Sequence, residues 1–71
     1  MVTLSFAQST LETMKREIDE GSYAFAAQVS GPSLVRDLPD NPEAHYLYAY
    51  ALYLTGDFET ARAELETALS L

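Results

Sequence analysis

The feature that most narrows what this chain can fold into is a turn that occurs twice. Gly21-x-Tyr23-x-x-Ala26 and Gly56-x-Phe58-x-x-Ala61 carry the same residue types 35 positions apart, and Ser33-Leu34 matches Ala68-Leu69 at the same interval. Self-similarity at a period of roughly 20–50 residues marks stacked supersecondary units, each unable to bury its apolar face alone. The segments before the two turns match at an interval of 34 instead, Leu11, Met14 and Ile18 against His45, Tyr48 and Leu52. That mismatch reads as one residue missing from the first turn.

Helical periodicity fills the space between the turns. Ala7, Leu11, Met14 and Ile18 recur every three or four residues, which predicts a helix over about 5–20. Ser5 with Gln8 and Ser9 with Glu12 both have capping-box spacing, and Gly21 supplies the stop. A second helix is expected over about 23–36, with a kink at Ser30-Gly31-Pro32-Ser33 or a restart with Pro32 at the first helical position. Leu38-Pro39-Asp40 is a linker, and Asn41 caps a third helix running from Pro42 to Leu54 or Thr55. That helix, Ala44 to Leu54, is apolar nearly all round, so neighbours must cover it on several sides. Asp57 caps a fourth helix with the stripe Phe58, Ala61, Leu65, Ala68 and Leu69, and Arg62 and Glu66 are spaced to pair across one turn. The fold class is therefore all-α, two stacked antiparallel helical hairpins, divided into units 1–38 and 39–71.

The second unit resembles a tetratricopeptide repeat. It reads His45-x-x-Tyr48-Ala49-x-x-Leu52, then Ala61-x-x-x-Leu65 and Ala68, with Gly56-Asp57-Phe58 at the turn. The family pattern places Trp, Leu, Gly and Tyr in the first helix and Ala and Phe in the second, at the same spacings. His45 stands for the Trp and Ala49 for the Gly. The resemblance covers residues 42–71 closely, and 5–38 is similar to a diverged or terminal repeat. It implies an α-solenoid fragment in which Ala49 and Ala61 let two helices approach. It also implies that Glu43, Tyr46, Tyr50 and Tyr53 line a groove for a peptide or partner protein.

Composition removes most other functions. Eleven acidic residues against four basic ones leave a formal charge of −7, which is wrong for the phosphates of nucleic acid and for anionic lipid. With no Cys and one His, neither a thiol nucleophile nor an ordinary zinc site is available. Three glycines build no phosphate loop, and no Ser-His-Asp arrangement is readable. The reading is thus no enzyme, no cofactor and no metal. The apolar stretch 44–54 is too short for the ~20 residues of a membrane span. The first residues have no basic start ahead of a long apolar run, so the expectation is a cytoplasmic chain. His45, on an apolar face, reads as a packed histidine in preference to a pH-sensitive group. The alternative to partner recruitment is self-association, because a chain below roughly 70–80 residues has a small core and its third helix is apolar on every side.

Overall fold

The computed structural model describes residues 10–71 and shows, among them, helices and no strand. We number them α1 (Leu11–Asp19), α2 (a continuous run over 23–37), α3 (Pro42–Leu54) and α4 (Phe58–Ser70). α1 with α2 and α3 with α4 form two antiparallel hairpins, and α3 lies against both helices of the first one. The all-α hairpin architecture expected from the sequence is the one that forms.

Each hairpin turns through the same backbone device. Gly21 at φ 85° and Gly56 at φ 92° occupy the left-handed region that other residues adopt only with strain. Gly21 N–H donates to the Ile18 carbonyl at 3.1 Å and Ser22 N–H to the Glu17 carbonyl at 2.8 Å. In the second turn, Gly56 N–H donates to Tyr53 at 3.0 Å and Asp57 N–H to Leu52 at 2.9 Å. Both are Schellman caps, which satisfy the carbonyls left over at a helix end. The two sets of bonds superpose at an interval of 35 residues throughout. The one-residue deletion inferred for the first turn is therefore absent: the turns are equal, and what shifts between copies is the identity of the apolar positions on the preceding helix.

The helix starts follow local chemistry. Asn41 Oδ1 accepts from the N–H groups of Glu43 at 2.8 Å and Ala44 at 3.1 Å, and Asp57 Oδ1 accepts from Thr60 N–H at 3.2 Å. α1 is capped by Thr10, whose Oγ1 accepts from Thr13 N–H at 3.0 Å. The caps expected at Ser5 and Ser9 lie outside the described residues.

Pro32 does not break α2. Ala26–Ser30 is wound as a π-helix, with Gly31 N–H donating to the Ala26 carbonyl, and α-helical winding resumes over Gly31–Asp37 with Pro32 in its first turn. Proline lacks a donor and its ring crowds the carbonyl four residues back. The wider π-turn takes that part of the helix out of the α-helical ladder, so the chain accommodates Pro32 while Gly31 stays at φ −61° and ψ −53°.

The same stretch sets the approach of the two hairpins. Gly31 is buried against the ring of Tyr48, and a Cβ placed on it would overlap that ring and lie 2.8 Å from the Ala26 carbonyl oxygen. Around this contact Met14, Leu34, Ala26, Ala44 and Ala51 are fully buried. The small residues let the backbones come close, and Met14 and Leu34 fill the remaining volume.

His45 fastens the second hairpin to the linker. Its ring is buried, with Nδ1 at 2.7 Å from Glu64 Oε1 and Nε2 at 2.7 Å from the Pro39 carbonyl oxygen. A carbonyl only accepts, so Nε2 carries a proton. Nδ1 faces the Glu64 carboxyl, a neighbour that favours the protonated ring. Burial alone would lower its pKa, but the bonds to Glu64 and Pro39 and the charges of Glu64 and Asp40 outweigh it and raise the pKa above the usual 6.5. The packed reading of His45 is correct in place, and the groups around the ring favour its protonated form.

Two outcomes follow for stability. Gly31→Ala should lower it by roughly 1–3 kcal/mol through overpacking, despite the ~1 kcal/mol that alanine gains over glycine in a helix. Combining it with Tyr48→Leu should recover part of the loss in a denaturant-melt double-mutant cycle. A histidine whose folded pKa is raised contributes stability that is complete below its unfolded value and lost as pH rises through the folded one. The melting temperature should therefore fall above pH 6.5 through the raised folded pKa, and His45→Gln should remove that component of the pH dependence.

Candidate functional site

The face of α3 that no described helix covers carries Tyr46, Tyr50 and Tyr53, with side chains about half exposed. Spacings of four and three residues put them on one stripe. The Tyr46 and Tyr50 rings stack at 6.2 Å with planes 6° apart, and Tyr53 meets Phe58 across the Gly56 turn at 5.4 Å and 52°. Offset and tilted arrangements of this kind suit the ring quadrupoles.

These rings wall a cleft of about 370 Å³ between α3 and α4. Its floor is Ala49 and Ala61, both buried, and its far wall is Phe58, Arg62 and Leu65. The two alanines, which the resemblance implies lie at a helix approach, are both buried and line one cleft. A second concavity of about 470 Å³ continues past Tyr46 and Leu65 to Ala68, Leu69, Pro42 and Glu43. Of the four residues read from the sequence, the three tyrosines come together on the cleft. Glu43 sits at its edge, where Lys15 Nζ lies 2.9 Å from its Oε2. That hydrogen bond, with the charges of Glu43 and Glu12, raises the Lys15 ammonium pKa above 10.5 against a small opposing effect of desolvation.

Sequence reasoning missed the α4 half of the cleft. Phe58, Leu65 and Leu69 belong to the apolar stripe of α4, yet they are 61 %, 41 % and 86 % exposed, and only Ala61 of that stripe is buried. The available signal was Phe58, which directly follows the turn and therefore flanks the end of α3. Tyr48 is a different kind of tyrosine. Burial first, then the charges of Glu64 and Asp57, raise its phenol pKa above 10.0, so it is a neutral packing group on Gly31. Arg62 and Glu66 pair at 3.3 Å in the open, at the expected spacing.

Among the described residues no three His, Asp or Glu side chains converge as metal ligands, and no helix is long and apolar enough to cross a membrane. The arrangement is one of apolar surface and ring faces, suited to binding.

A family model of the tetratricopeptide repeat matches residues 17–70, from the last turn of α1 to the end of α4, and the chain belongs to that family. The family's general role is that of a scaffold for protein–protein interaction, as a rule without catalysis. No curated protein and no solved structure matches the chain at a significant level.

Exposed substitutions away from buried contacts usually change stability by less than about 0.5 kcal/mol. Tyr50→Ser should fall within that range in thermal melts followed by circular dichroism. Leu52→Ser, which opens space in the buried seam and places a hydroxyl there, should cost more than about 2 kcal/mol.

Proposed function

We propose that this chain is a recruitment module that holds a peptide or partner protein in the cleft between α3 and α4. Tyr46, Tyr50 and Tyr53 form the contact surface, and Glu43 forms its edge. The observation that carries this reading is the contrast within one helix: Tyr48 is drawn into the hairpin seam, while the other three rings stand half exposed around a concavity with an apolar floor. Tyrosine gives a wide contact area with few rotatable bonds and a hydroxyl at the tip, and it is enriched at binding hot spots. The chain's charge of −7 favours a neutral or basic partner over an acidic one. We further read the molecule as two successive repeats, 1–38 and 39–71, acting in the cytoplasm.

A second reading, self-association through the same face, draws support from Leu69, which is 86 % exposed next to the cleft. Sedimentation across a concentration range separates the two, because recruitment of a different protein leaves the isolated chain monomeric. The direct test replaces Tyr46 and Tyr50 together with Ala. Cross-linked partner capture should fall by at least about tenfold with helicity retained, since hot-spot truncations cost about 2 kcal/mol or more. Unchanged capture would remove the cleft from consideration.

A further inference from the structure

The second hairpin is closed twice. The Gly56 turn joins its helices at one end, and toward the other the side chains of His45 on α3 and Glu64 on α4 meet at 2.7 Å. Their neighbours in sequence, Tyr46 and Leu65, line both the cleft and the concavity that continues it. The His45–Glu64 contact therefore holds the spacing of the two walls at the end away from the turn.

That contact needs a proton beyond those of a neutral ring and an ionised carboxyl. The Pro39 carbonyl only accepts, so Nε2 supplies the hydrogen there. A neutral imidazole has one N–H, which leaves a lone pair on Nδ1 pointing at the Glu64 oxygen. Two acceptors do not meet at 2.7 Å, so one further proton lies between them, on Nδ1 or on Oε1. With it the pair is neutral overall, and without it the pair carries one negative charge. The charges acting on the ring from the segments around it are Glu64 of α4 and Asp40 of the linker, both acidic. No Lys or Arg is among them, and Tyr48 of α3 is held neutral. The His45 and Glu64 side chains are only 10 % and 21 % exposed, so solvent compensates little of an added charge there.

We propose that the proton shared by His45 and Glu64 is a latch on the cleft: its loss to water as pH rises frees Glu64 from the ring, and the Leu65 wall of α4 loosens from the Tyr46 wall of α3. The bond to Pro39 is the one that stays. Its acceptor is fixed in the backbone, whereas Glu64 ends a side chain of three rotatable bonds and regains water by swinging outward once its counter-charge is gone. The latch acts on the walls themselves and does not depend on what the cleft holds. Its failure leaves the recruitment reading intact, and unchanged partner capture without the tyrosines leaves the latch intact.

His45 is the chain's one histidine, so its ring resonances stand alone. The test is nuclear magnetic resonance on the full chain from about pH 5.5 to about pH 9, where ordinary carboxylates stay ionised and Lys and Tyr keep their protons. The ring should titrate with a midpoint above 6.5 and take the Nε2–H form beyond it. At that same midpoint the cross-peak between the ring and the Glu64 methylene should be lost, and the Tyr46 ring and Leu65 methyl signals should shift. Glu64→Gln supplies an amide that turns its oxygen to a charged ring and its NH2 to a neutral one. In that variant the ring should titrate at a lower midpoint while the wall signals stay still. Asp40→Asn, informative even where Glu64→Gln does not fold, removes one facing charge and leaves the latch in place. Ring and wall signals should then move together to lower pH. A ring that titrates at or below 6.5, or a neutral ring that keeps Glu64 through Nδ1–H, would overturn the inference. So would walls that stay still while the wild-type ring titrates, or that move as far in Glu64→Gln as in the wild type.

Discussion

Tyr48 lying on Gly31 is the contact on which the rest of the structure depends. A ring this close to a backbone is possible only where the opposing residue has no side chain, and it draws α3 into the angle between α1 and α2. Once α3 is placed, its other sides are assigned. Ala44, Ala51 and Leu52 are buried, Ala49 lines the cleft with residues of α4, and the remaining arc bears three half-exposed tyrosines. The π-turn in α2 belongs to the same constraint. It reconciles Pro32 with an unbroken helix and allows Gly31 to stay in helical conformation beneath the ring.

Much of this was legible in the residues. Gly21 and Gly56 identified both turns because a left-handed cap excludes nearly every other side chain, and Asn41 and Asp57 identified the helix starts because their short oxygens reach the first free N–H groups. The tyrosine stripe followed from helical spacing alone. Three things were not legible. The π-turn leaves no pattern beyond a proline in a helical stretch, where a kink and an accommodated turn have the same composition. The true alignment of α1 with α3 was hidden because hydrophobicity matched best at 34 residues while the backbone repeats at 35. Apolar matching compares side chains whose roles differ between the two hairpins, one covered and one bare among the described residues. Hydrogen bonding at the caps does not suffer from that ambiguity.

The open half of the cleft was hidden for a related reason. Phe58, Leu65 and Leu69 have the spacing of a core face, and periodicity reports which residues share a face without reporting what that face meets. In the first hairpin the equivalent face is covered, and in the second it is not. Hairpins of this kind are completed by neighbouring units, and the face of α3 and α4 that no described residue covers has the composition of an interior. His45 shows the converse. Its sequence context was that of a packed core aromatic, yet the Pro39 carbonyl and the Glu64 carboxyl make it a hydrogen-bonded tie between the linker, α3 and α4.

That tie also bears on the order in which the molecule comes apart. α4 has a single fully sequestered apolar residue, Ala61, and its remaining anchorage to the body includes the ring of His45. Local opening energies scale with such anchorage, so α4 is the element whose amides should exchange with solvent first, ahead of α2 and α3. A ligand laid along the side of α4 that no described residue covers would then register as slowed amide exchange along that helix.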